Sequence, residues 1–202
     1  MNKYISNNDD LSIERYKLST RFKENHFFPE NVFMDEFRYF TTFEFDTIFS
    51  DFFYNGISKY INRIKDPNFT FYSVAPTPDY YLYYIKKYGI GICSAKDAYS
   101  DFSDFLSYDP DDKGFPFYIL VEDIAVFSDN DQWGIYGSRG WEIGFVGFKN
   151  IKNRNLFLDS FEDADDIFYS LAENVKELRE MLKFSEKAEE NYGKLLKNYP
   201  EA

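Results

Sequence analysis

Apolar positions are most regularly patterned over residues 115–148, FPFYILVEDIAVFSDNDQWGIYGSRGWEIGFVGF. Within it, Phe117, Ile119, Val121 and Ala125 fall on one side of an extended chain and Tyr118, Leu120, Ile124 and Val126 on the other. Both sides are apolar, so the spacing predicts a central strand over 117–127. Turns at 128–131 and at Ser138-Arg139-Gly140 divide the rest into QWGIYG and WEIGFVGF, which predicts a three-strand meander. Gly134, Gly144 and Gly147 lie inside these strands, where a missing side chain marks a bulge or the close approach of a helix or ligand.

Helical spacing governs much of the remainder. Phe45, Ile48, Phe49, Phe52, Phe53, Ile57, Tyr60, Ile61 and Ile64 recur at intervals of three and four, predicting a helix that Asp66-Pro67 ends. Gly56 costs that helix ~1 kcal/mol relative to alanine and so marks close packing or a kink. Residues 69–75 predict a strand between Pro67 and Pro76. Thr77-Pro78 opens a tyrosine-rich helix that Gly89 closes, followed by a short strand over 89–93. Ser94 is the expected cap of a helix running to Leu106, with Asp97, Asp101 and Asp104 along one flank.

Residues 149–155 read as a polar link. Ser160, with Asp163 three residues on, begins a capping pattern, and Ile167, Leu171, Val175, Leu178 and Leu182 form an apolar stripe. Residues 160–199 are thus a C-terminal helical segment. Residues 1–19 are a loose start or a short helix, and over 21–43 helix and strand compete. The expected architecture is a single α+β domain over 1–202: an antiparallel sheet centred on the three-strand meander, packed helices and a long C-terminal helix.

Composition supports a packed interior, with 44% hydrophobic and 22% aromatic residues. Charge changes the picture more. A net charge of −12 and a pI near 4.6 disfavour nucleic acid and anionic membrane as partners, since no Lys/Arg cluster overrides the field. No stretch has the apolar length of a membrane span and the N-terminus lacks a secretory pattern, so the expected location is the cytoplasm. Ten carboxylates and one lysine lie between Asp97 and Asp131. They predict either an electronegative surface that steers a basic protein or a solvated face that maintains solubility.

Candidate catalytic chemistry is sparse. One cysteine, Cys93, and one histidine, His26, give no Cys/His set for zinc, and Cys93 in an apolar segment reads as a buried small side chain. The acidic groups at 109–112 and 129–131 lack the offsets of a calcium loop. Glu122 and Asp123 are adjacent in a predicted strand and so point to opposite faces, which prevents convergence on one substrate. The expected catalytic, metal and cofactor sets are therefore empty.

The turn between the last two strands of the predicted meander is richer. Trp133, Tyr136, Arg139, Trp141 and Glu142 surround one tight turn, and Trp, Tyr and Arg are the residue types enriched in interface hot spots. The alternative is that the tryptophans are cross-strand core partners and Arg139 pairs with Glu142. An apolar strand ending in acids, a polar turn and then W-x-I-Y-G-S-R-x-W-E-I, about 30 residues in all, resembles small acidic bacterial immunity proteins encoded beside polymorphic or contact-dependent toxins. That resemblance implies a non-catalytic inhibitor that covers a toxin's active site, with a basic toxin domain as partner. The expected partner-binding residues are Asp109, Asp111, Asp112, Asp129, Asp131, Trp133, Tyr136, Arg139, Trp141 and Glu142. The competing expectations are a small-molecule-binding module using the groove left by the strand glycines, and a carboxylate-dependent enzyme.

Overall fold

The structure, a computed structural model, describes residues 3–5, 7–109, 114 and 116–199. Its elements run β1 (Lys3–Tyr4), α1 (Asn8–Ser19), β2 (Tyr39–Glu44), a 3-10 turn (Phe45–Phe49), α2 (Asp51–Arg63), β3 (Asn68–Ala75), α3 (Pro78–Ile85) and β4 (Ile90–Ser94). They continue as α4 (Tyr99–Ser107), α5 (Phe117–Leu120), β5 (Asp123–Ser128), β6 (Trp133–Ser138), β7 (Ile143–Phe148), α6 (Ile151–Leu158), α7 (Ala164–Ile167), α8 (Leu171–Leu182) and α9 (Glu186–Asn198).

Strands β5, β6 and β7 form the predicted meander at the middle of one antiparallel sheet ordered β1-β4-β3-β5-β6-β7-β2, in which β1 is a two-residue edge. The fold is α+β, as the alternating pattern implies. Both faces of the sheet are covered. Ile124, Val126, Trp133, Ile135, Val146 and Phe148 pack on one side against α2, α4 and α6. Ala125, Phe127, Tyr136, Ile143 and Phe145 pack on the other against α1, the segment 22–37, α8 and α9. All six residues of β6 and of β7 are buried, which explains why these strands are apolar or glycine at nearly every position.

Several boundaries differ from the sequence expectation, each for a local reason. The first meander strand begins at Asp123, because Pro116 starts a helical turn instead: its carbonyl accepts the N–H groups of Ile119 and Leu120 at 3.1 and 3.2 Å. The predicted helix over 45–64 divides at Ser50, whose hydroxyl accepts the Phe53 N–H and caps α2. The tyrosine-rich helix ends at Lys86, in the left-handed region at φ 58°, before Gly89 is reached. Helix α4 starts after Ala98, not Ser94: Asp97 accepts the Ser94 N–H and Asp101 accepts the Ala98 N–H, so both acids serve the chain entry. The polar link is helix α6, capped by Asn150 (2.9 Å to the Asn153 N–H); Phe157 is its one fully buried side chain, so no stripe betrays it.

Ser160 is likewise not a helix cap. It is buried and donates to the Leu156 carbonyl at 2.8 Å, while Ser170 and Glu173 make the reciprocal cap that starts α8. The C-terminal segment is helical but consists of the four-residue α7 and two longer helices, α8 and α9. Lys183 takes a left-handed conformation at φ 49°, and Ser185 caps α9, which folds back so that Tyr192, Leu195 and Tyr199 join the core.

Candidate functional site

The Trp133–Glu142 turn is held from within. Trp133 is fully buried, stacks edge-on against Tyr60 at 5.3 Å and donates Nε1–H to the Ser128 hydroxyl at 2.9 Å. Tyr136 is buried on the opposite face of the sheet among Phe22, Phe28 and Phe145. Arg139 donates to the Val121 and Tyr118 carbonyls (3.1 and 2.7 Å), pairs with Asp46 at 3.2 Å and lies over the Phe45 ring at 4.9 Å. Its ion-pair partner is therefore Asp46. Trp141 is half-buried against Phe28 and Tyr192, and its carbonyl accepts the Tyr192 hydroxyl at 2.8 Å. Glu142 holds the left-handed turn at φ 56°. Burial, together with the charge of Asp46, raises its carboxyl above the usual range.

The acids of the predicted surface are dispersed. Asp129 pairs with Lys17 and Asp131 with Lys149, at 2.7 and 2.9 Å. They occupy the β5–β6 turn, while Arg139, Trp141 and Glu142 occupy the β6–β7 turn at the other end of β6, roughly 17 Å away along a six-residue strand. Asp109 accepts the Gly114 N–H at 2.7 Å. Asp111 and Asp112 lie outside the described residues.

Asp123 begins β5 opposite Ser138. Burial raises its carboxyl pKa and the charge of Glu122 adds to that, while Ser138 acts against it. Burial followed by the Asp123 charge raises the pKa of the buried Tyr136 hydroxyl in turn. Because the fold holds the Asp123 proton more tightly than the unfolded chain does, this group destabilises the protein as pH rises from the ordinary carboxylate value of about 3.9 through the raised native value. Asp35, Asp97 and Asp131, whose pKa values are lowered, act with the opposite sign. The expected result is that Asp123→Asn gains stability over the native chain at pH 7 and that this gain shrinks toward acid pH. Urea midpoints of both proteins across that range test it; a pH-independent difference refutes it.

The strand glycines leave no ligand groove. A Cβ on Gly134, Gly144 or Gly147 meets Phe22, Phe43 or Phe33 at 2.9, 2.2 and 2.6 Å, so the chain's own aromatic rings fill the space. Cys93 is fully buried within the layer under α2 and α4, and burial pushes its thiol pKa up. His26 is half-buried and lies 3.9 Å from Glu30. Among the described residues no three His, Cys, Asp or Glu side chains come together as a metal site, and no helix is long and apolar enough to cross a membrane.

A groove of about 580 Å³ lies between α2 and the segment 160–167. Phe52, Asn55, Gly56 and Lys59 supply one wall at helical spacing; Phe161, Glu162, Asp163 and Ile167 supply the other, with Ala95 and Asp97 at its end. Gly56 makes this arrangement possible: a Cβ there would sit 2.1 Å from the Phe161 ring, which seats the loop on the helix. Lys59 bridges the walls to Glu162 at 2.7 Å, and Arg63 donates to Ser160 Oγ at 3.3 Å. A second depression continues past Asp159, Asp163, Asp165 and Asp166. No lysine or arginine among the described residues pairs with these four carboxylates.

This acidic run was the feature that sequence reasoning passed over. Residues 159–166 hold five carboxylates and no base, a denser grouping than the ten spread over 97–131. Its capping pattern drew it into a helix. Comparison with protein-family models, curated proteins and solved structures finds no match for the chain.

Proposed function

We propose that the protein is a non-catalytic binding protein of the immunity type, an inhibitor that covers a basic bacterial toxin domain. The observation that carries this reading is the unneutralised surface charge: a chain of net −12 presents Asp159, Asp163, Asp165 and Asp166 side by side with no cation paired to them among the described residues, next to a groove with an exposed aromatic wall. Such a field speeds encounter with a cationic protein, and a desolvated aromatic supplies contact area once the complex forms. Burial of Trp133 and Tyr136 moves the expected contacts away from those residues and toward the acids and Phe52. The resemblance of the Trp133–Ile143 segment to immunity proteins points the same way.

The test is co-expression with a basic toxin domain encoded beside this chain, followed by titration of the two purified proteins at low and high ionic strength. Restored growth and binding that weakens with salt are expected. A neighbouring basic toxin domain that is neither bound nor neutralised overturns the reading.

A further inference from the structure

We infer that the groove between α2 and residues 160–167 receives an arginine-bearing segment of the basic partner. This rests on the reading above and names its contact. Three features converge. Phe52 is 46% exposed at the groove wall, although phenylalanine on an amphipathic helix is expected to turn inward. Asp163, Asp165 and Asp166 stand at the adjoining rim without a cation among the described residues. Ser58 lines the same groove and is 9% exposed, a polar side chain among the aromatic and acidic ones.

A guanidinium suits this set better than an ammonium. It offers a flat face to an aromatic ring and several N–H donors to carboxylates at once. The groove beside β2 sets Arg154 against Asp165 and Glu173, whereas this one sets Lys59 against Asp97, Glu162 and Asp163, so its lining is the more negative. The Lys59–Glu162 bridge is exposed, with the two side chains at 50% and 84% accessibility, so an incoming arginine can exchange with Lys59 at little cost.

The experiment uses the full chain with fluorescein-labelled hexa-arginine and hexalysine peptides, read by anisotropy at low ionic strength. The triple variant Asp163→Asn/Asp165→Asn/Asp166→Asn is expected to bind hexa-arginine about tenfold more weakly. A control that removes the same charge elsewhere, Asp9→Asn/Glu24→Asn/Glu36→Asn, is expected to lose less than about twofold. Phe52→Ala is expected to weaken hexa-arginine about threefold and hexalysine less. Amide shifts on peptide addition should fall on α2 and residues 160–167. Equal weakening by both triple variants, or shifts elsewhere, overturns the groove and leaves the basic-partner reading standing. Failure of the unaltered chain to bind either peptide counts against both.

Discussion

Replacing Trp133 by alanine is expected to cost about 3–5 kcal/mol of folding stability, read as a drop in the urea midpoint at unchanged slope. The ring is fully buried, lies against Tyr60 and Phe157 at centroid distances of 5.3 and 6.2 Å, and occupies the start of β6 where the strand meets the layer under α2. Alanine leaves a cavity that the surrounding aromatic rings cannot close, because Tyr60 is itself packed against Phe157. Trp133→Phe retains most of the ring contacts but removes the donor to Ser128, and an expected cost of about 1–2 kcal/mol isolates that hydrogen bond. Since typical domains hold about 5–15 kcal/mol in total, the alanine variant is expected to lie near the edge of folding. A stability within about 0.5 kcal/mol of the native chain would contradict the buried placement and return Trp133 to the surface as a candidate contact.

How far the sequence discloses the molecule depends on which physical signal each part uses. The meander was legible because β5 to β7 combine alternation, polar turns and glycines that aromatic rings must overlie, all local features. Helix α6 was hidden because one buried residue, Phe157, makes no period, and its Asn150 cap looks like an ordinary loop residue. The break at Lys183 was hidden because a left-handed lysine carries no glycine to announce it. The charge map suffered most. Acids counted along the chain between 97 and 131 looked like one surface, yet their partners come from distant positions: Lys17 from α1 for Asp129, and Lys149 after β7 for Asp131. Of the 159–166 acids, read as part of a helix start, Glu162 pairs with Lys59 of α2, while Asp159, Asp163, Asp165 and Asp166 pair with no lysine or arginine among the described residues. Pairing across the fold, rather than density along the chain, decides which acids stay available.

The largest polar commitment of the interior is also distant in sequence. Arg21 is 1% exposed and ties the end of α1 to the sheet. Its guanidinium donates to the Lys17 carbonyl at 2.6 Å, to the Thr20 hydroxyl at 2.8 Å and to the Ser128 carbonyl, and lies over Phe127 at 5.3 Å. Burial lowers its pKa, while the charges of Asp131, Asp129, Asp66 and Glu14 offset part of that penalty. Asp66 in turn accepts from the Ser128 hydroxyl and the Asn130 N–H, and buried Glu14 accepts from Thr70 and Lys17. Removing the cation therefore leaves several acceptors facing one another in a poorly hydrated space. Arg21→Ala is expected to cost about 3–5 kcal/mol, the scale for breaking one side of a buried charge arrangement. Arg21→Lys keeps the charge but cannot span the Lys17 and Ser128 carbonyls with one ammonium, so an intermediate loss is expected. Added salt should restore little in either variant, because ions do not enter a buried site. Urea unfolding at low and high ionic strength decides this: a loss below about 1 kcal/mol for Arg21→Ala, or full recovery with salt, would place the network at the surface and remove it from the account of what anchors α1 to the sheet.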